Sequence, residues 1–132
     1  MEKELKELGI TDYSVTGMVS QKRAAEYLAC ADVCLVYMRD DNANLMRMSL
    51  KTLEYLSMEK PVAGVLVGET RDAVGRFCLL APDDPEQFAG TIVDALKGAQ
   101  KPAGARQAVL DAYSPQAVKK VMKELLDEDT AH

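Results

Sequence analysis

An α/β domain, with helices covering both faces of a mainly parallel sheet and a helical C-terminus, is the fold class this sequence predicts. Three observations carry that expectation. Val33-Cys-Leu-Val-Tyr37 and Pro61-Val-Ala-Gly-Val-Leu-Val67 are uninterrupted apolar runs, as strands buried on both faces require. Around them, apolar residues recur at helical spacing. The alternation repeats at roughly 20-residue intervals, room enough for the crossover that joins parallel strands.

Tyr13 to Thr16 reads as a short strand closed by Gly17, followed by a helix over Gln21 to Cys30 carrying Ala24, Ala25, Leu28 and Ala29 on one side. The run Val33 to Tyr37 is the first strand expected to be buried on both faces. A polar loop, Asp40 to Asn44, leads to a helical pattern with Leu50, Leu53 and Leu56 aligned, which must stop before Pro61. Pro61 then suits the first position of the second buried strand. A turn at Gly68 and a third short apolar run, Phe77 to Ala81, complete the expected sheet. Asp84-Pro-Glu-Gln87 supplies an N-cap, a proline at the first helical position and an amide three residues past the cap, opening a helix to about Lys97. The sheet and its helices thus span 8–97, a linker rich in Gly, Ala and Pro spans 98–104, and terminal helices span 105–127. In the last of them Val118, Val121, Met122 and Leu125 form a stripe expected to cover the core. All 132 residues read as one domain.

Composition removes several function classes. With 16 basic and 21 acidic side chains the net charge is −5, which argues against sequence-independent binding to nucleic acid. The only histidine is His132, so Ser-His-Asp catalysis, Cys-His catalysis and histidine-based zinc sites lack their imidazole. Cys30, Cys34 and Cys78 show no C-x-x-C spacing and read as free thiols in a reducing cytoplasm. The first residues lack the apolar region of a secretion signal, and no apolar run reaches the roughly 20 residues of a membrane span.

In an open parallel sheet ligands sit beyond the carboxyl ends of the strands, which directs attention to the loops after Thr16, Tyr37 and Val67. The middle loop feeds the helix starting near Met48-Ser49, whose first amides and dipole suit an anion such as phosphate. Lys51 and Glu54, three residues apart on that helix, are either a solvated surface pair or groups aimed at a ligand; spacing alone favours the former. Asp40 and Asp41 suit a solvated turn better than a phosphoacceptor pair.

Ser49-Leu-Lys-Thr-Leu-Glu-Tyr-Leu-Ser-Met-Glu-Lys-Pro-Val62 resembles the "P-x-K-x-x-E-Y-x-A-x-G-K-P-V" signature of the group-one retaining glycosyltransferases of the GT-B fold. Four further runs are similar to family motifs in the same order: Val15-Thr-Gly-Met-Val19, Tyr27-Leu-Ala-Cys-Ala-Asp-Val33, Ala81-Pro-Asp-Asp-Pro-Glu-Gln-Phe-Ala89 and Ala112-Tyr-Ser-Pro115. The resemblance runs from about Leu8 to Leu126. It implies the Rossmann-like C-terminal lobe of such an enzyme, which binds a nucleoside-diphosphate sugar, a UDP-sugar or GDP-sugar, as donor. By that resemblance Glu54 accepts from the ribose hydroxyls, Met48, Ser49 and Leu50 supply the amides that cradle the diphosphate, Lys51 belongs to the same nucleotide-sugar site, and the segment around Gly17 and Val19 lies near the base. No catalytic residue is assigned, and neither a metal nor a cofactor beyond the donor is implied.

The resemblance also implies that the acceptor-binding first lobe and a basic Gly-Arg…Lys-Gly loop precede the matched region, so activity is expected only with a second lobe or chain; the expected partners are therefore the donor and a complementing lobe or a second copy. Met46 stands where many members place a sugar-holding acid, Ser49 where proline is usual, and Glu59 where glycine is usual, so Glu59 must either accept a strained left-handed turn or avoid it. The alternative function is a non-catalytic interaction or regulatory domain that keeps the fold around a decayed pocket.

Overall fold

A computed structural model describes residues 2–98 and 101–129. In chain order the elements are α1 (Glu2–Glu7), α2 (Gln21–Cys30), β1 (Cys34–Tyr37), α3 (Asn42–Leu45), α4 (Leu50–Ser57), β2 (Val62–Val65), α5 (Gly68–Val74), a 3-10 turn (Gly75–Phe77), β3 (Leu79–Leu80), α6 (Pro85–Gly98), α7 (Ala105–Tyr113) and α8 (Pro115–Asp129). The strands lie in the order β1-β2-β3 and both pairings are parallel. Cys34 pairs with Val62, and Ala63 with Leu79.

Central β2 is buried along its whole length, as its unbroken apolar run requires. On one face, Cys34, Val36 and Met38 join Val62 and Leu66 against Leu53 and Leu56 of α4, with Val109 and Ala105 of α7 behind them. Ala63 and Val65 point the other way by strand alternation, toward the side where α6 packs on β2 and β3 and buries Ala95. Leu56 and Val62 are fully buried, so truncating Leu56 to alanine should cost roughly 2–5 kcal/mol in transfer and cavity terms, and Val62, with fewer carbons to lose, less. Helix starts follow the expected cap chemistry: Ser20, Asp84 and Ser114 accept from the amides of Arg23, Gln87 and Ala117.

The C-terminus of α4 is a Schellman turn. The amide of Lys60 donates to the carbonyl of Tyr55, and that of Glu59 to the carbonyl of Leu56, both at 3.0 Å. Glu59 therefore occupies the left-handed position with φ 56°, where a side chain is disfavoured.

Several expectations are corrected. Tyr13 to Thr16 is not a strand: no backbone ladder bond reaches it among the described residues, and alternation only makes a segment compatible with pairing. β1 is buried on one face alone, with Leu35 48% and Tyr37 56% exposed, while α6 packs on β2 and β3. The turn at Gly68 is the start of α5, which carries the crossover between β2 and β3. Helix α3 forms within the expected loop, capped by Asp41 through the Asn44 amide. Helix α1, which buries nothing, is supported by the Lys3–Glu7 pair at 3.7 Å. The stripe on α8 does not cover the core: Val118, Val121, Met122, Leu125 and Leu126 are 50% to 65% exposed. Ala99 and Gln100 of the expected linker, and His132, lie outside the described residues.

Candidate nucleotide site at the start of α4

Ser49 caps α4 in the way its position predicts. Its Oγ accepts from the Thr52 amide at 3.3 Å and from the Thr52 hydroxyl at 2.9 Å. Ser49 is held in turn from outside its own helix. The hydroxyl of Thr70, on α5, accepts from the Ser49 amide at 2.9 Å and donates to the Arg47 carbonyl at 2.8 Å. The amides of Leu50 and Lys51, first in the helix, have no intrahelical acceptor and point out of its positive end.

Two clefts flank this point. The larger, of about 690 Å³, lies beside β1 and is lined by Tyr37, Met38, Arg47, Met48, Ser49, Leu50 and Lys51 among others. The smaller, of about 410 Å³, is walled by Ser14, Thr16 and Val19, by Tyr27 and Leu28 of α2, and by Lys51, Glu54 and Tyr55 of α4. Lys51 belongs to both. The helix face that carries Lys51 and Glu54 is thus the rim between the two hollows, and spacing alone had favoured a simple surface pair. Of the residues expected at the site, Met48, Ser49 and Leu50 line the larger cleft, Glu54 and Val19 the smaller. Gly17 lines neither; with φ 62° it makes the turn between Thr16 and Val19.

Sequence reasoning missed Arg47, Tyr27, Tyr55 and Thr70. Arg47 puts a second basic side chain beside Lys51 in the larger cleft. Tyr27 and Tyr55, from α2 and α4, both line the smaller one, an arrangement two separate helical patterns cannot reveal. Burial pushes the Tyr55 phenol above its ordinary pKa, and the phenol offers the cleft a hydrogen-bonding group. At the carboxyl end of β1, beside the larger cleft, the Tyr37 hydroxyl donates to Asp83 at 2.9 Å, and this bond raises the Tyr37 pKa. Met46 is 90% exposed and lines neither cleft. Among the described residues, no three His, Cys, Asp or Glu side chains gather closely enough to hold a metal ion.

A family model described as glycosyl transferases, group 1, matches residues 1–98. The chain is a member of that family. The matched region contains the whole sheet, both clefts and every expected site residue. Among solved structures, sucrose-phosphate synthase from Thermosynechococcus elongatus superposes with a TM-score of 0.78 at 23% identity, over 98% of this chain and 33% of that one. The likeness establishes a GT-B glycosyltransferase domain fold for this group 1 member, and the chain spans about a third of that enzyme's length. No curated protein matches the chain. Among the described residues, no helix is long and apolar enough to cross a membrane.

Proposed function

We propose that this glycosyltransferase domain binds the nucleoside diphosphate of a UDP-sugar or GDP-sugar donor, and that with a second lobe or chain it serves glycosyl transfer to an acceptor with retention at the anomeric carbon. The observation that carries the reading is the position of Lys51 between two clefts, with Glu54 one turn further along the same helix. Ribose in the smaller cleft would donate its hydroxyls to the Glu54 carboxylate, a pure acceptor when ionised. The diphosphate would then reach the free amides of Leu50 and Lys51, flanked by the Lys51 ammonium and the Arg47 guanidinium. Departing diphosphate gains charge during transfer, and this same set of donors would stabilise it. Arg47 supports the reading further, as a cation within the domain itself that complements any basic groups a second lobe supplies. The segment from Gly17 to Val19 would border the base.

The exposed stripe of α8 supports docking of that second lobe or of another copy, since an apolar face of this kind is normally covered. Three free cysteines support a reducing, cytoplasmic setting. A second reading, a regulatory domain with a decayed pocket, is favoured by one observation: Met46, an apolar side chain, stands exposed where a sugar-holding acid is usual.

Calorimetric titration with UDP, GDP, ADP and TDP separates the two. Donor binding predicts selective uptake of one diphosphate and its loss in Glu54→Ala. Unchanged affinity in that variant would remove Glu54 from the site, and a folded chain that takes up none would favour the regulatory reading.

A further inference from the structure

Thr70 lies on α5, outside both clefts and outside every motif that the family resemblance covers, yet its side chain is fully buried and makes its two hydrogen bonds to the backbone immediately before α4. The two bonded groups, the Arg47 carbonyl and the Ser49 amide, bracket Met48. A buried hydroxyl that accepts from one and donates to the other fixes both the direction and the spacing of this segment. The approach is tight on the α5 side as well. Gly68 opens that helix at φ 50°, and a Cβ there would lie 2.0 Å from the Leu45 carbonyl oxygen, so α5 rests directly on the backbone leading to Arg47.

We infer that Thr70 is a positioning residue for diphosphate recognition: it acts as a strut that holds Arg47 and the first amides of α4 in register for the anion. The inference rests on the proposed function, since the anion is the diphosphate of that donor. It adds two consequences. Because the Ser49 amide is spent on Thr70, phosphate contacts fall to Leu50, Lys51 and the side chains of Arg47 and Lys51. Removing the hydroxyl leaves an amide and a carbonyl without partners, and the segment can then relax by pulling Arg47 away from the helix end.

The experiment uses the full chain, with Thr70→Val to delete the hydroxyl at nearly constant volume and Thr70→Ser to retain it. Two quantities are read: hydrogen exchange of the Ser49 amide without ligand, and the ratio of UDP to uridine affinity, or GDP to guanosine if that base is preferred. In Thr70→Val, Ser49 exchange should accelerate and the diphosphate-to-nucleoside ratio should fall roughly tenfold, the effect of one misaligned hydrogen bond to a charged group. Nucleoside affinity should hold, and Thr70→Ser should restore both readings. Unchanged Ser49 exchange would overturn the strut. Accelerated exchange with an unchanged ratio would overturn its role in anion recognition, as would an equal loss of nucleoside and diphosphate affinity. A wild-type chain that holds the diphosphate no better than the nucleoside would overturn the proposed function itself, and the Ser49 exchange would still decide the strut. Should Thr70→Val fail to fold, Thr70→Cys keeps a weak hydrogen-bonding group in similar volume and is expected to fall between wild type and deletion; wild-type behaviour in both quantities would count against the inference.

Discussion

Lys60 reaches across from the end of α4 to the end of α2, where its ammonium donates to the Ala29 carbonyl at 2.7 Å and to the Ala31 carbonyl at 3.0 Å. Those carbonyls are the ones a helix leaves without partners, and they lie at its negative pole. The lysine of the "K-P-V" run thereby ties α2, which walls the smaller cleft, to α4, which carries Lys51 and Glu54. Lys60→Met keeps the aliphatic stem and removes the charge. It should lower stability by about 1–2 kcal/mol in urea denaturation, the scale of a charged hydrogen bond at a helix end.

Glu59 one position earlier offers the opposite sign. Its φ of 56° is the left-handed conformation that glycine adopts without strain. Glu59→Gly should therefore stabilise the chain, by about 1 kcal/mol or less once the extra freedom of glycine in the unfolded state is subtracted. A rise in the urea midpoint with an unchanged slope is the expected result; a fall would mean that the glutamate side chain makes a compensating contact.

The stripe on α8 can be tested without knowing what covers it. Val118→Gln with Leu125→Gln should reduce fluorescence of a dye that reports exposed apolar surface. The thermal midpoint should barely move, since substitutions at exposed positions usually stay within about 0.5 kcal/mol. A large drop in the midpoint would place these side chains in the core.

Cys78 makes stability depend on alkaline pH. Burial pushes its thiol up to about 11, against 9.0 for an unperturbed thiol. The folded chain thus holds this proton more tightly than the unfolded one, so the contribution is complete below about pH 9 and is lost as pH rises toward 11. Cys78→Ala should flatten the decline of stability between those values. Equal declines in the two proteins would assign the dependence to Tyr55 or Cys34, whose ionisation burial also opposes.

Much of the architecture was legible because it depends on local chemistry. β2 announced itself through apolar residues on both sides of its backbone, α2 and α4 through stripes at helical spacing, and α6 through the cap at Asp84. Helix α5 was not legible: Gly68 reads as a turn, and only Ala73 and Val74 are apolar in a segment held by its seat against Leu45. The half-buried state of β1 was hidden for a related reason. An apolar run shows that a strand can be covered on both faces, while the packing of distant elements decides whether it is. The site divides along the same line. Ser49, Lys51 and Glu54 lie together at the start of one helix and in one motif, so the sequence offered them together as candidates. Arg47 and Thr70 are brought together by the meeting of α5 with the entry to α4, a contact between segments about twenty residues apart that no periodicity encodes.

Both strand pairings are parallel, and each spans an intervening helix. Among the described residues the sheet holds no hairpin, so neither pair can zip from a tight turn; Cys34 meets Val62 only across the segment of α3 and α4, and Ala63 meets Leu79 only across that of α5. The loop-closure entropy of each crossover falls due before any ladder bond repays it. Non-local parallel pairing of this kind is intrinsically slow to form, and the rim between the clefts is built on the first of those crossovers.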